Sequence, residues 1–104
     1  MKNLRRFERT TYEHLDSVEQ LNLQNEIVAL DLNGGAAEIQ GIEKLKLLRF
    51  LELRETEMYE TKLKLLKKLS RLERLRLVYC NIDDITPLRS LVNLVCLDLS
   101  TNKI

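Results

Sequence analysis

The chain of 104 residues has one histidine and two cysteines, so side chains that work chemically near neutral pH are scarce. His14 follows Glu13, but a metal site or a general base needs further partners within ligand or hydrogen-bond reach, and no nearby spacing supplies them. It reads as a solvated residue. Asp83-Asp84 precede Ile85-Thr86-Pro87-Leu88 with no later carboxylate at calcium-loop spacing, which predicts a polar turn and not a metal site. Gly34-Gly35 lack both phosphate-loop frames, G-x-x-x-x-G-K-S/T and G-x-G-x-x-G, and no G-x-S-x-G is present. Cys80 is expected to be buried and structural, since a free cysteine is usually interior. These residues predict no enzyme, no catalytic residues, no cofactor and no metal.

Charge is the next source of binding chemistry. The 17 Lys+Arg nearly cancel the 16 Asp+Glu, so no global field drives binding to nucleic acid or an anionic membrane. Locally, Lys62, Lys64, Lys67, Lys68, Arg71, Arg74 and Arg76 stand against Glu73 alone. Leu63, Leu66 and Leu69 are spaced by three, as in a helical turn, which makes the lysines its solvated face. The alternative is a contact with RNA or an acidic partner, weakened by the lack of aromatics for base stacking.

The elements that hold these residues follow from the leucines, 23 of them in the chain. The spacing i, i+3, i+5 occurs at Leu48-Leu51-Leu53, Leu72-Leu75-Leu77 and Leu94-Leu97-Leu99. Residues i and i+2 lie far apart around a helix but on one face of a strand, so each Leu-x-Leu predicts a short strand. The expected strands are 29–33, 50–54, 74–78 and 96–100. After each comes a second fixed pattern: Leu53 is followed by Thr56 and Met58, Leu77 by Cys80 and Ile82, Leu99 by Asn102 and Ile104. The third leucine recurs at 53, 77 and 99, and a weaker copy runs through Ile27, Leu30 and Leu32. Asn or Cys after a strand suits an inward turn, where a side chain that both donates and accepts satisfies backbone groups left without sheet partners.

With this frame the stretch from Ile27 to Ile104 resembles the leucine-rich repeat proteins of the short, roughly 22-residue class. Residues 81–104 are similar to repeats of the internalins and of the regulatory subunit of protein phosphatase 1. Gly35 and Thr56 replace the usual Asn in the first two repeats. The resemblance implies an α/β fold, a right-handed leucine-rich repeat solenoid of about four repeats, and a scaffold that binds partners without catalysis.

Leu4, Phe7, Thr11, Leu15 and Val18 recur at helical spacing, which predicts an amphipathic N-terminal capping helix over 3–20. The chain is thus expected to be a single domain, with 1–25 as the cap and 26–104 as repeats, the last incomplete. Leu97, Leu99 and Ile104 in that last coil form an uncapped edge expected to favour self-association.

Strand register also predicts the partner surface. Side chains flanking the core leucines form three columns on the concave face. The first is Ala29, Phe50, Arg74 and Cys96. The central one is Asp31, Glu52, Arg76 and Asp98. The third is Asn33, Arg54, Val78 and Ser100. The candidate partner-binding residues are Phe50, Glu52, Arg54, Arg74, Arg76, Val78, Tyr79 and Asp98. The expected function is a protein–protein interaction module whose partner is a protein of unknown identity. The alternative is a nucleic-acid-associated or ribonucleoprotein scaffold using 62–76. No signal peptide and no run of about 18 uncharged apolar residues is seen, so no membrane contact and a cytoplasmic or nuclear location are expected.

Overall fold

The computed structural model describes residues 9–13, 27–33, 41–58 and 60–103. Five strands form one parallel sheet in chain order: β1 (Arg9–Glu13), β2 (Ala29–Asn33), β3 (Phe50–Arg54), β4 (Arg74–Val78) and β5 (Cys96–Asp98). Register runs unbroken across it. Leu30 lies beside Leu51, which lies beside Leu75 and then Leu97. Leu30, Leu32, Leu51, Leu53, Leu75 and Leu77 are all buried on one face, as the alternation of a strand requires.

From β2 onward, the described parts of the connections between strands contain short helical segments on the far side of the core. These are the 3₁₀ turn Ile42–Lys44, helix α1 (Glu60–Leu63) running into the 3₁₀ turn Lys64–Lys68, and the 3₁₀ turn Thr86–Leu88. Ile42, Leu45, Leu48, Leu63, Leu66, Leu69 and Leu72 from these returns close the core against the strand leucines. Pro87 opens the last turn, where its fixed φ fits and no backbone donor is needed. The return at Gly41 has φ 103°, a conformation open to glycine at little cost.

The backbone repeats its bonding along with its residues. Val28, Arg49 and Glu73 each use one carbonyl to accept two N–H groups from the start of the next strand. The left-handed turn recurs too, at Glu55, Tyr79 and Thr101, each two residues past the last strand leucine of its frame. At the inward turn Asn102 accepts from the N–H groups of Cys80 and Ile82, and its amide donates to the carbonyls of Leu77 and Leu99. Cys80 and Thr56 hold the same place in earlier frames. The Cys80 thiol donates to the Leu53 carbonyl and the Thr56 hydroxyl to that of Arg54.

Three expectations are corrected. Residues 9–13 are a strand, not part of a capping helix, and pair in register with β2. The sequence Thr10-Thr11-Tyr12 favours a strand, and the open edge of β2 supplies the backbone partners. The rest of the expected helix, with His14, lies outside the described residues, as do Gly34-Gly35 and Ile104. Strand β5 ends at Asp98, not at 100, because the Asp98 carboxylate accepts from the N–H and the hydroxyl of Ser100 and turns the chain there. The basic segment is not one patch. Lys62, Lys64, Lys67, Lys68 and Arg71 sit on the return side, while Arg74 and Arg76 point from the opposite face of the sheet.

Candidate functional site

The outward face of β2–β5 brings together the first two columns that the register predicted and, of the third, Arg54 and Val78. Ala29, Phe50, Arg74 and Cys96 are direct cross-strand neighbours, as are Asp31, Glu52, Arg76 and Asp98. Arg54 lies beside Val78 in the third column. In-register neighbours stand about 4.8 Å apart, so long side chains reach across two strands.

An ion-pair chain joins Glu52, Arg76 and Asp98 of the central column to Arg54 of the third. Arg54 Nε donates to Glu52 at 2.5 Å, and Arg76 Nη1 donates to the other Glu52 oxygen at 3.3 Å. Arg76 Nε then donates to Asp98 at 3.0 Å. Glu52 was expected on an open face, yet it is only 3 % exposed. Two guanidinium groups and the neighbouring strands cover it, which is the condition under which a carboxylate tolerates burial. Glu52 in turn holds the Arg54 guanidinium above its usual pKa. Asp98 is held below the ordinary carboxylate range, chiefly by the Ser100 hydroxyl and N–H and then by Arg76.

The first column is different. Arg74 Cζ lies 5.3 Å from the Phe50 ring centroid and Arg49 Cζ lies 5.7 Å from it, both within cation–π range. Arg49 is committed to Glu73 through two bonds of 2.8 and 3.0 Å. That pair raises the Arg49 pKa and lowers that of Glu73. Arg74 is exposed and makes no ion pair among the described residues. With Ala29, Leu51, Glu52, Arg76 and Cys96 these two side chains line a concavity of about 420 Å³. The sequence matches no known protein family and no curated protein. The geometry of this face therefore carries the functional argument.

Tyr79 sits past the end of β4 in the left-handed turn, 60 % exposed, so it borders the face and does not belong to the sheet. Val78 is half-buried at the same end. Sequence reasoning did not single out Arg49 or Glu73, the pair that steadies Phe50 from the adjacent position. Their signal was present as opposite charges 24 residues apart, one repeat period. Asp83 and Asp84 are exposed, and Asp84 accepts from the N–H and hydroxyl of Thr86 at the start of the last 3₁₀ turn. Among the described residues, no cluster of three His, Cys, Asp or Glu side chains suits a metal ion, and no helix is long and apolar enough to cross a membrane.

Proposed function

We propose that the chain is a leucine-rich repeat solenoid and a non-catalytic protein-interaction module. It binds a partner protein through the outward, concave face of the parallel sheet. The observation that carries this reading is the first column, where an aromatic ring and an exposed guanidinium stack beside two small side chains, Ala29 and Cys96. Aromatics and arginine are the residue types most enriched at the energetic centres of interfaces. The paired charges around them supply a polar rim. A photo-cross-linking residue placed at Val78 should give discrete protein adducts in cells, and one at Lys67 should not. Adducts from Lys67 alone would overturn the assignment of the face.

The alternative, a nucleic-acid-associated scaffold, draws its support from the return side, where Lys67, Lys68 and Arg71 are exposed. It loses Arg74 and Arg76, which belong to the other face. Single-stranded RNA binding with a steep salt dependence, abolished by Lys67→Glu with Lys68→Glu, would favour it.

We also propose that the outer edge of β5 is a self-association surface. Val95 is 78 % exposed and Leu97 40 % exposed beside this last strand of the sheet. Such an edge offers both unpaired backbone groups and apolar side chains.

A further inference from the structure

We propose that the concavity built on Phe50 and Arg74 receives a carboxylate side chain of an acidic peptide, with an apolar neighbour of that carboxylate lying toward Cys96. The proposal rests on the reading of the sheet face as a partner surface and assigns the chemistry of what it takes. Local charge in the first column points to the ligand, since over the whole face Arg49, Arg54, Arg74 and Arg76 are matched by Asp31, Glu52, Glu73 and Asp98. Arg54 and Arg76 are neutralised by Glu52 and Asp98, and Arg49 by Glu73. Arg74 is exposed with no ion-pair acceptor among the described residues. One planar guanidinium with a free fork matches one carboxylate bidentately. A phosphorylated side chain carries nearly two charges and calls for a cluster of free arginines, which the described residues of this face do not present.

Position favours the same ligand. Stacking on Phe50 fixes the Arg74 guanidinium, so less side-chain entropy is lost when an acceptor arrives. The central column holds three carboxylates, Asp31, Glu52 and Asp98, against Arg76, so it repels an incoming acid and leaves Arg74 in the first column to receive it. The volume, about 420 Å³, is in the range of sites that hold one or two side chains and lies far below a whole partner surface.

The test is a displayed library of random dodecapeptides panned on the full chain at physiological ionic strength. Enriched peptides should carry Asp or Glu next to an apolar residue. A synthetic peptide from that pool should bind at least about 10-fold more weakly after Arg74→Gln, as expected for loss of a charge-assisted bidentate contact. The matching Asp→Asn change in the peptide should cost the same and leaves the protein untouched. Arg74→Lys should fall between, because it keeps the charge and loses the fork, while Lys67→Gln on the opposite face should leave affinity unchanged. Equal affinity of Arg74→Lys and the parent would overturn the bidentate site. Enriched peptides without an acid, insensitive to Arg74→Gln but lost on Arg54→Glu or Tyr79→Ala, would sink this proposal and leave the sheet-face reading standing. Failure to enrich any peptide sensitive to a sheet-face substitution would remove both.

Discussion

Cys80 is fully buried, and desolvation pushes its thiol above the usual range because a thiolate there would lose its hydration. Cys96 is exposed at the start of β5. A thiol reagent should therefore titrate one cysteine in the native protein and two in denaturant, and Cys96→Ser should abolish the native reaction. Two fast-reacting native thiols would mean that the turn after β4 opens readily. The carboxylates predict the acid limb of stability. Glu73, Asp84 and Asp98 are each held below their ordinary range by hydrogen bonds from Arg49, Thr86 and Ser100 respectively. A lowered folded-state pKa stabilises the fold fully above the unfolded value, and that contribution is lost as pH falls through the folded values. The urea midpoint should thus hold steady near neutral pH and decline below about pH 4. Asp98→Asn should flatten the decline, whereas a midpoint that rises on acidification would contradict these assignments.

At the scale of the element, the load is unevenly divided. Leu75 sits at the centre of the core and Leu75→Ala should cost about 2–5 kcal/mol in urea melts. Lys67 is exposed on the return side and its replacement by Ala should change stability by less than about 0.5 kcal/mol. Asn102→Ala should cost at least about 2 kcal/mol, since it leaves the N–H groups of Cys80 and Ile82 and the carbonyls of Leu77 and Leu99 without their partner. Indistinguishable melts for Leu75→Ala and Lys67→Ala would show the register to be wrong. The strands were legible because Leu-x-Leu forces period two, and the first two columns followed from register alone, while the third keeps only Arg54 beside Val78. The segment 9–13 was not legible in this way. Its spacing fitted a helix, and pairing along the edge of β2 overrode that local pattern. The burial of Glu52 was hidden for a related reason. It depends on two side chains closing over it: Arg76, one repeat period away and its neighbour by register, and Arg54 from its own strand, a contact that register does not indicate.

Over the whole molecule, the same carbonyl recurs at each strand entry. Val28, Arg49 and Glu73 each take two N–H groups from a parallel neighbour, and Val95 holds the equivalent place before β5, at the outer end of the sheet. Val95 and Val92 are 78 % and 83 % exposed beside it, and Leu97 is half-exposed. Covering side chains of this size contributes about 1.5–3 kcal/mol each, against an entropic cost of association of at least about 4 kcal/mol. The balance gives weak pairing, so a polypeptide of these 104 residues should be monomeric when dilute and dimeric when concentrated. A two-fold arrangement places two β5 edges antiparallel and closes on itself, which predicts a plateau at two copies and no growing fibre. Light scattering across a concentration series reads the plateau directly. Val95→Lys should keep the protein monomeric throughout without moving the urea midpoint, because an exposed side chain at the edge takes little part in the core and a lysine there repels its symmetry mate. If Val95→Lys pairs as readily as the parent, the edge is not the contact, and if the parent stays monomeric at millimolar concentration, the exposed valines are only surface.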